Sequence, residues 1–337
     1  MGAKDEFDPA QKSELELGTA TEELDFASAS EVDRRALYEV AAAWTVEDSP
    51  GKEPPPYEAF VAMWELHDDI GFEPPRFVVA RRAGKIIGYG EVRISETEAN
   101  AHLATANVVV LPDHRRRGTG TALLRAMLPL TNGRTVVEAW SVFKDTPGER
   151  FATAQGFRVV TTMTRQRLTI GDPPEIGDLP AGYELVTWKG AAPEEFVEAY
   201  VEALNGIRDA PQGETSLDLT RNTVESIRRE EAATVPVRWI VLLLHEGEAA
   251  GVTVVEVNPA VSTVAEQLHT VVLPAHRGRG FGRLIKAHML HNLEGVETIN
   301  TRTSSDNEHM LRVNHSLGYE DRFVYMGVQA KTADLRA

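Results

Sequence analysis

The sequence predicts an α+β protein built from two tandem copies of one domain, each a mixed, mostly antiparallel sheet flanked by helices. Three observations carry that expectation. The chain has 337 residues, more than one core usually fills when domains run to about 100–200 residues. A long segment occurs twice, as V-V-V-L-P-D-H-R-R-R-G-T-G at 108–120 and V-V-L-P-A-H-R-G-R-G-F-G at 271–282. Helical and strand patterning also follow the same order in both halves.

The repeat holds its register along the chain. The arginine-rich turns are offset by 277 − 115 = 162 residues, and Gly156-Phe and Gly318-Tyr by 318 − 156 = 162. Gly88 and Gly251 differ by 163, and the Asp48-Ser-Pro and Asp209-Ala-Pro loops by 161. A period this long gives each copy enough residues for its own core, unlike a solenoid repeat. Residues 171–182, with three prolines and three glycines, read as a linker. The expected organisation is therefore an acidic tail at 1–22, a domain at 23–170, the linker, and a second domain at 183–337.

Each element follows from local pattern. Leu37, Val40, Ala41 and Trp44 keep helical spacing behind Ser30, a candidate N-cap, and 196–204 is the counterpart helix. A second helix follows each Asp-x-Pro loop. Paired strands come next, 77–80 with 86–94 and 239–245 with 252–257, joined by short turns at Gly84 and Gly247. A further strand, 268–273 in the second copy, runs into the V-x-L-P segment, and a helix through Ile285, Leu290 and Leu293 opens at the glycines. More strand and helix close each copy on a Gly-aromatic pair and a β-rich end.

Composition removes several function classes. Hydrophobic residues at 42% and charged residues at 26% suit a globular protein with a real core. A net charge of −16 argues against nucleic acid and favours neutral or cationic small partners. With no cysteine there is no disulfide framework, thiolate metal site or cysteine-bound acyl intermediate. The 10 histidines lack zinc-site spacing, so no metal is expected. The first residues have neither the basic nor the apolar region of a signal peptide, and the longest aliphatic run, 240–244, cannot span a bilayer. A cytoplasmic location with no membrane partner is expected.

The chemistry points to the two glycine-rich turns. Gly278, Gly280 and Gly282 fall where a strand gives way to a helix. Glycines let successive N–H groups turn toward one point, and the helix N-terminus adds positive potential, which together cradle an anion such as a pyrophosphate. Arg277, Arg279 and Arg283, like Arg115, Arg116 and Arg117, add charge to the turn. A tight turn carrying solvated arginines is the bland alternative. A Rossmann dinucleotide site would place its fingerprint after a first strand, whereas here several strands precede it.

Arg115-Arg-Arg-Gly118-Thr-Gly120 and Arg277-Gly-Arg-Gly280-Phe-Gly282 both match the Arg/Gln-x-x-Gly-x-Gly/Ala signature, so the chain resembles the GNAT acetyltransferase superfamily over two complete domains. The tandem arrangement is similar to actinobacterial double-domain members. The resemblance implies acetyl-CoA as cofactor, its pyrophosphate in the cradle and its pantetheine arm along the preceding strand. By position that implicates Thr270, Val271 and Val272, followed by Arg277, Gly278, Arg279, Gly280, Phe281, Gly282, Arg283 and Leu284. In the first copy it implicates Val108, Val109 and Val110, followed by Arg115, Arg116, Arg117, Gly118, Thr119, Gly120, Thr121 and Ala122.

Transfer to an amine needs a neutral nucleophile, a base and donors that polarise the thioester. The resemblance places a carboxylate base eleven residues before the motif, at Glu266, where the first copy has Ala104. A solvent-facing strand residue is the other reading of Glu266. The tyrosine that many members carry before the late Gly-aromatic pair is replaced by Asn314 and by Ala152. Asn314 could hydrogen-bond the sulfur but has no proton to give it, which leaves water, His315 or Tyr319. Asn307 fits either a pantetheine contact or a helix N-cap. Asp209 fits either a turn cap or a partner for a cationic amine.

These positions put the chemistry in the C-terminal copy and leave the N-terminal one as a degenerate, structural or regulatory domain. The expected activity is acetyl transfer to a primary amine of a small molecule: an amino sugar, an antibiotic, another metabolite amine, or a cysteinyl amino sugar such as a mycothiol precursor. The alternative, motivated by the missing tyrosines, is a non-catalytic acyl-CoA sensor or scaffold.

Overall fold

The computed structural model describes residues 19–48, 54–65, 72–219, 221–232, 236–259 and 262–336. Most of the acidic tail, 1–18, and Ser49 and Pro50 of the first Asp-x-Pro loop lie outside the described residues. The chain forms two compact units, each an α+β structure.

Unit 1 contains β1 (Ala20–Leu24), α1 (Glu31–Asp48), α2 (Tyr57–Glu65), β2 (Arg76–Arg82), β3 (Lys85–Ile94), β4 (Leu103–Val110), α3 (Thr119–Met127), β5 (Val136–Phe143) and α4 (Pro147–Ala154). Its strands lie in sequence order, antiparallel except for the parallel β4–β5 pair. The Ser30 hydroxyl accepts from the Asp33 amide at 3.2 Å, which satisfies a free N–H of α1's first turn and starts the helix there. Leu37 and Val40 of α1 then pack with Phe60, Trp64, Phe77 and Val79, while Leu123 and Met127 of α3 pack with Val78, Ala80 and Val92 on the opposite face.

Unit 2 contains β6 (Arg158–Thr169) from Thr161 onward, β7 (Tyr183–Lys189), α5 (Val197–Asn205), α6 (Val224–Glu231), β8 (Val237–His245), β9 (Glu248–Val257), β10 (Val264–Val272), α7 (Phe281–Asn292), β11 (Thr298–Ser304) and α8 (Glu308–Ser316). Its strand order is β7-β8-β9-β10-β11-β6. The aliphatic run at 240–244 is the middle of β8, covered by α5 on one face and α7 on the other; burial on both faces explains why its pattern is continuous rather than alternating. Both hairpins turn through two residues of positive φ, Ala83 and Gly84 (50° and 77°) and Glu246 and Gly247 (53° and 84°), the geometry that matches strand twist in a two-residue loop.

The units are not simply the two halves of the chain. β6 closes the first repeat in sequence, yet its residues pair antiparallel with β11, from Thr169↔Thr298 to Met163↔Ser304, inside unit 2. The last strand, β12 (Glu320–Lys331), leaves its second half, with the described residues that follow it, in unit 1. There Met326 and Val328 pack on Ala152, and the Thr332 hydroxyl donates to the Arg134 carbonyl at 2.6 Å. Residues 215–218 also belong to unit 1. The Thr215 hydroxyl and Ser216 amide donate to the buried Glu138 carboxylate of β5 at 2.9 Å and 2.7 Å, and burial holds that carboxyl above its ordinary pKa.

Candidate active site

Both glycine-rich turns have the same backbone shape. In unit 2, Gly278 and Gly280 sit at φ 76° and 77°; in unit 1 the matching positions are Arg116 at 60° and Gly118 at 82°. The left-handed conformation costs a non-glycine residue about 1–2 kcal/mol, so Arg116 bears strain that Gly278 avoids. Gly118 and Gly280 are the N-caps of α3 and α7, and neither helix receives a side-chain cap. The first-turn amides are therefore left for an anion. A side chain's Cβ built at Gly118, Gly278 or Gly280 would meet nothing within 4 Å, so the cradle opens outward.

The leading arginine of each motif works on the protein itself. Arg115 Nε donates to the Val110 carbonyl at 2.9 Å and Arg277 Nε to the Val272 carbonyl at 2.8 Å, which pins the end of the motif strand to the turn. Arg277 also pairs with Asp209 at 2.9 Å, so Asp209 is engaged by the cradle. In unit 2, Arg279 donates to the Tyr183 hydroxyl at 3.0 Å, which lies 2.7 Å from His276 Nδ1. Arg117 is exposed and Arg283 half-buried. Val109, Thr119, Val271 and Phe281 are buried, and Val108, Val110, Val272 and Leu284 pack against the cores, so these positions present backbone rather than side chains. Thr270 bonds Thr253 through their hydroxyls at 2.9 Å. The Ala122 amide makes the first bond of α3, to Gly118.

Beyond the cradle, the central parallel strands part. The β4–β5 register runs only from Leu103↔Val136 to Thr105↔Glu138, and the β10–β11 register from Val264↔Thr298 to Gln267↔Thr301. In unit 1 this opening is a cavity of about 940 Å³, with Val108 to Val110, Gly118, Gly120 and Thr121 at the cradle and Tyr38, Trp44, Glu91 and Trp140 farther along. Two glycines let the neighbouring strand approach: a Cβ at Gly88 or Gly251 would lie 2.7 Å from the carbonyl oxygen of Val109 or Val271.

In unit 2 the mouth of the opening is polar. The side chain of Glu266 is 42% exposed and forms a 2.5 Å ion pair with Arg165. Asn300 Nδ2 reaches the same carboxylate at 3.3 Å and accepts from Arg167 at 2.9 Å through its Oδ1. His269 follows an irregularity in β10; burial first, then Arg238 and Arg302, push its pKa down to about 4, so it is neutral at pH 7. Tyr325 stands beside Arg302 and Arg165, its hydroxyl pKa raised chiefly by burial.

The remaining expected residues have interior or capping partners. Asn314 is 1% exposed, and both of its amide hydrogens are engaged, with Gln166 Oε1 at 2.7 Å and Thr303 Oγ1 at 3.1 Å. It ties α8 to β6 and β11. Asn307 Oδ1 accepts from the Met310 amide at 3.1 Å, the N-cap geometry. Tyr319 is buried, and His315 pairs with Asp321 at 2.8 Å. Sequence reasoning missed Arg165, Arg167, Asn300, Arg302 and His269; the one local signal was R-Q-R at 165–167, charges at the period of two that puts them on one face of a strand. Among the described residues no group of histidines and acids could hold a metal, and no helix is long and apolar enough to cross a membrane.

Known proteins resemble this chain in sequence and in fold. The model described as "Acetyltransferase (GNAT) family" matches residues 37–157 and 201–319, once in each repeat. A mycothiol acetyltransferase of Frankia casuarinae is 29% identical over 258 residues, covering 70% of either chain. Another, from Propionibacterium freudenreichii subsp. shermanii, is 27% identical over 255 residues, 72% of this chain and 73% of the relative. Among solved structures, a tandem GNAT protein from the clavulanic acid biosynthesis pathway matches with a TM-score of 0.72 at 24% identity, over 94% of this chain and 99% of that one. A GCN5-related N-acetyltransferase from Sphaerobacter thermophilus matches at 0.70 and 18% identity, over 93% and 96%. These two show a shared fold. With the family pattern matched in both repeats and both cradles formed, the chain belongs to the Acetyltransferase (GNAT) family and is an acyltransferase.

Proposed function

We propose that the protein transfers acetyl from acetyl-CoA directly to the primary amine of a small molecule, and that the reaction takes place in unit 2. The observation that carries this reading is the polar mouth of the β10–β11 opening. Glu266 and His269 stand there, where the first repeat has Ala104 and Asn107.

When bound, acetyl-CoA supplies an activated acyl carbon and a thiol leaving group. The uncapped amides at Gly280 and the start of α7 fit its pyrophosphate, and the backbone at 270–272 fits its pantetheine arm. Glu266 takes the proton that the amine nitrogen loses as the C–N bond forms, directly or through one water. Arg165 holds that carboxylate in place. The sulfur receives its proton from solvent, because Asn314 has none to spare and Tyr319 is enclosed in the core.

The cavity in unit 1 supports a second role for that unit, holding a coenzyme A thioester on its own cradle, and Ala104 at the position of Glu266 leaves it without that base. The acceptor belongs to the small amines named above; a cysteinyl amino sugar is one of them, given the names of the relatives.

Thiol release from acetyl-CoA across an amine panel tests the reading. Glu266→Gln should lower kcat by about 10²–10⁴ near neutral pH, the usual contribution of a general base. An unchanged pH profile removes Glu266 from that role. Tight coenzyme A binding with no thiol release from any amine favours the non-catalytic sensor instead.

A further inference from the structure

The acceptor side of unit 2 carries a concentration of positive charge that base catalysis does not need. Arg165 of β6 and Arg302 of β11 are direct cross-strand partners, and Arg167 pairs with Asn300 one step along the same face. Like charges placed directly opposite one another in a sheet repel. Three guanidiniums thus share one face, and among the described residues one of them, Arg165, is paired with a carboxylate, that of Glu266. Arg167 is held by the neutral Asn300 and Arg302 by the Tyr325 hydroxyl; among the described residues neither forms an ion pair. The nearby Arg238 is already engaged by Glu230 and Glu256. His269, facing Arg238 and Arg302, stays neutral and adds no charge. The patch is net positive in a chain whose overall charge is −16.

Position gives the patch its meaning. β11 leaves β10 after the Gln267↔Thr301 pair, so Arg302 is the first β11 residue beside the opening, and its side chain is exposed. A molecule presenting an amine to Glu266 there would have its remaining atoms over Arg302 and Arg167. Arginine's planar fork suits a carboxylate or phosphate better than a neutral hydroxyl.

We propose that the acceptor amine carries an anionic oxygen group, a carboxylate or a phosphate, held by Arg302 and Arg167 at the mouth of the β10–β11 opening. The inference rests on the assignment of the reaction to unit 2, and it separates the acceptor from neutral amino sugars and from simple polyamines.

Matched pairs of amines test it: an α-amino acid against its carboxamide, and an amino-sugar phosphate against the unphosphorylated amino sugar. In at least one pair the anionic member should have a kcat/KM about tenfold higher, the scale of one charge-assisted contact. The pair that shows it tells carboxylate from phosphate. Arg302→Gln should bring that ratio toward one without moving the KM for acetyl-CoA, and Arg302→Lys should restore part of it. Preference for the neutral member in both pairs, or a ratio that Arg302→Gln leaves intact, overturns the proposal. Equilibrium titration of the coenzyme A-loaded protein with the N-acetylated amino acid, its carboxamide and the N-acetylated amino-sugar phosphate gives a readout without turnover. If no amine releases thiol, acetyl transfer fails as the function; an anion preference in the titration that Arg302→Gln removes would still support the site, and its absence would overturn it.

Discussion

Replacing Gly251 by alanine should damage the motif strand more than one methyl group suggests. The new Cβ would lie 2.7 Å from the Val271 carbonyl oxygen and 3.4 Å from the Val272 Cα. Both obstacles are backbone, so no side chain can swing away; β9 and β10 must separate by several tenths of an ångström. Forcing a methyl group into a packed site costs about 1–3 kcal/mol, and alanine regains about 0.5–1 kcal/mol of the entropic cost that glycine carries in a strand. The net expectation is a loss centred on about 1 kcal/mol and reaching about 2.5 kcal/mol, read as a lower urea midpoint at unchanged m-value. Movement at 271–272 should also raise the KM for acetyl-CoA. Gly88→Ala makes the same clash with the Val109 carbonyl in unit 1, at 2.7 Å, and should match the stability loss without the change in KM. A Gly251→Ala protein with wild-type midpoint and KM would refute both the close approach and the role given to this strand.

Other outcomes follow from neighbouring features. Gly282→Ala should be tolerated in stability and in acetyl-CoA KM, because its nearest obstacle is Val272 Cγ2 at 4.0 Å; Gly120→Ala should be the worse tolerated of the pair by thermal denaturation, because the Phe151 ring stands at 3.1 Å. Lys286 is buried in α7 with its Nζ 4.6 Å from the Tyr319 ring centre, and burial brings its pKa down from 10.5 to about 7. The folded state therefore binds fewer protons than the unfolded chain over that interval, and this group's penalty is full below pH 7 and fades as pH rises toward 10.5. Lys286→Met should be more stable than wild type near neutrality, with the gap narrowing as urea midpoints are taken at rising pH. Tyr183→Phe removes the hydroxyl that joins Arg279 to His276, and should raise the KM for acetyl-CoA a few-fold with kcat little changed; an equal fall in kcat would point to a general structural role.

Much of the fold can be read from the sequence because its signals are local. A Gly84 or Gly247 turn is set by the chain on either side, and the Ser30 cap by a residue three positions away. The cradle is legible for the same reason, since φ at Gly278 and Gly280 is a property of adjacent residues. What escaped is non-local. Arg277 looks like a phosphate ligand in sequence, yet its Nε meets a carbonyl on its own strand and its fork meets Asp209. Asn314 occupies the position of a tyrosine in many family members, but its surroundings are set by Gln166, far away in the chain. Arg165 and Glu266 lie 101 residues apart, and no periodicity within either strand announces that they meet.

The traded strands also bear on how the protein is made. As the chain leaves the ribosome, residues 1–160 appear with β5 at the edge of their sheet, and the strand that covers that edge, beginning at Met326, is synthesised long afterwards. Until then an unpaired strand edge is available to other nascent chains, the situation that promotes misassembly. Only β6, already made, has a destination in the unit still to come. Completion of the first unit is thus tied to synthesis of the second, so a ribosome that stalls within the second repeat releases a fragment whose own first sheet is left unfinished.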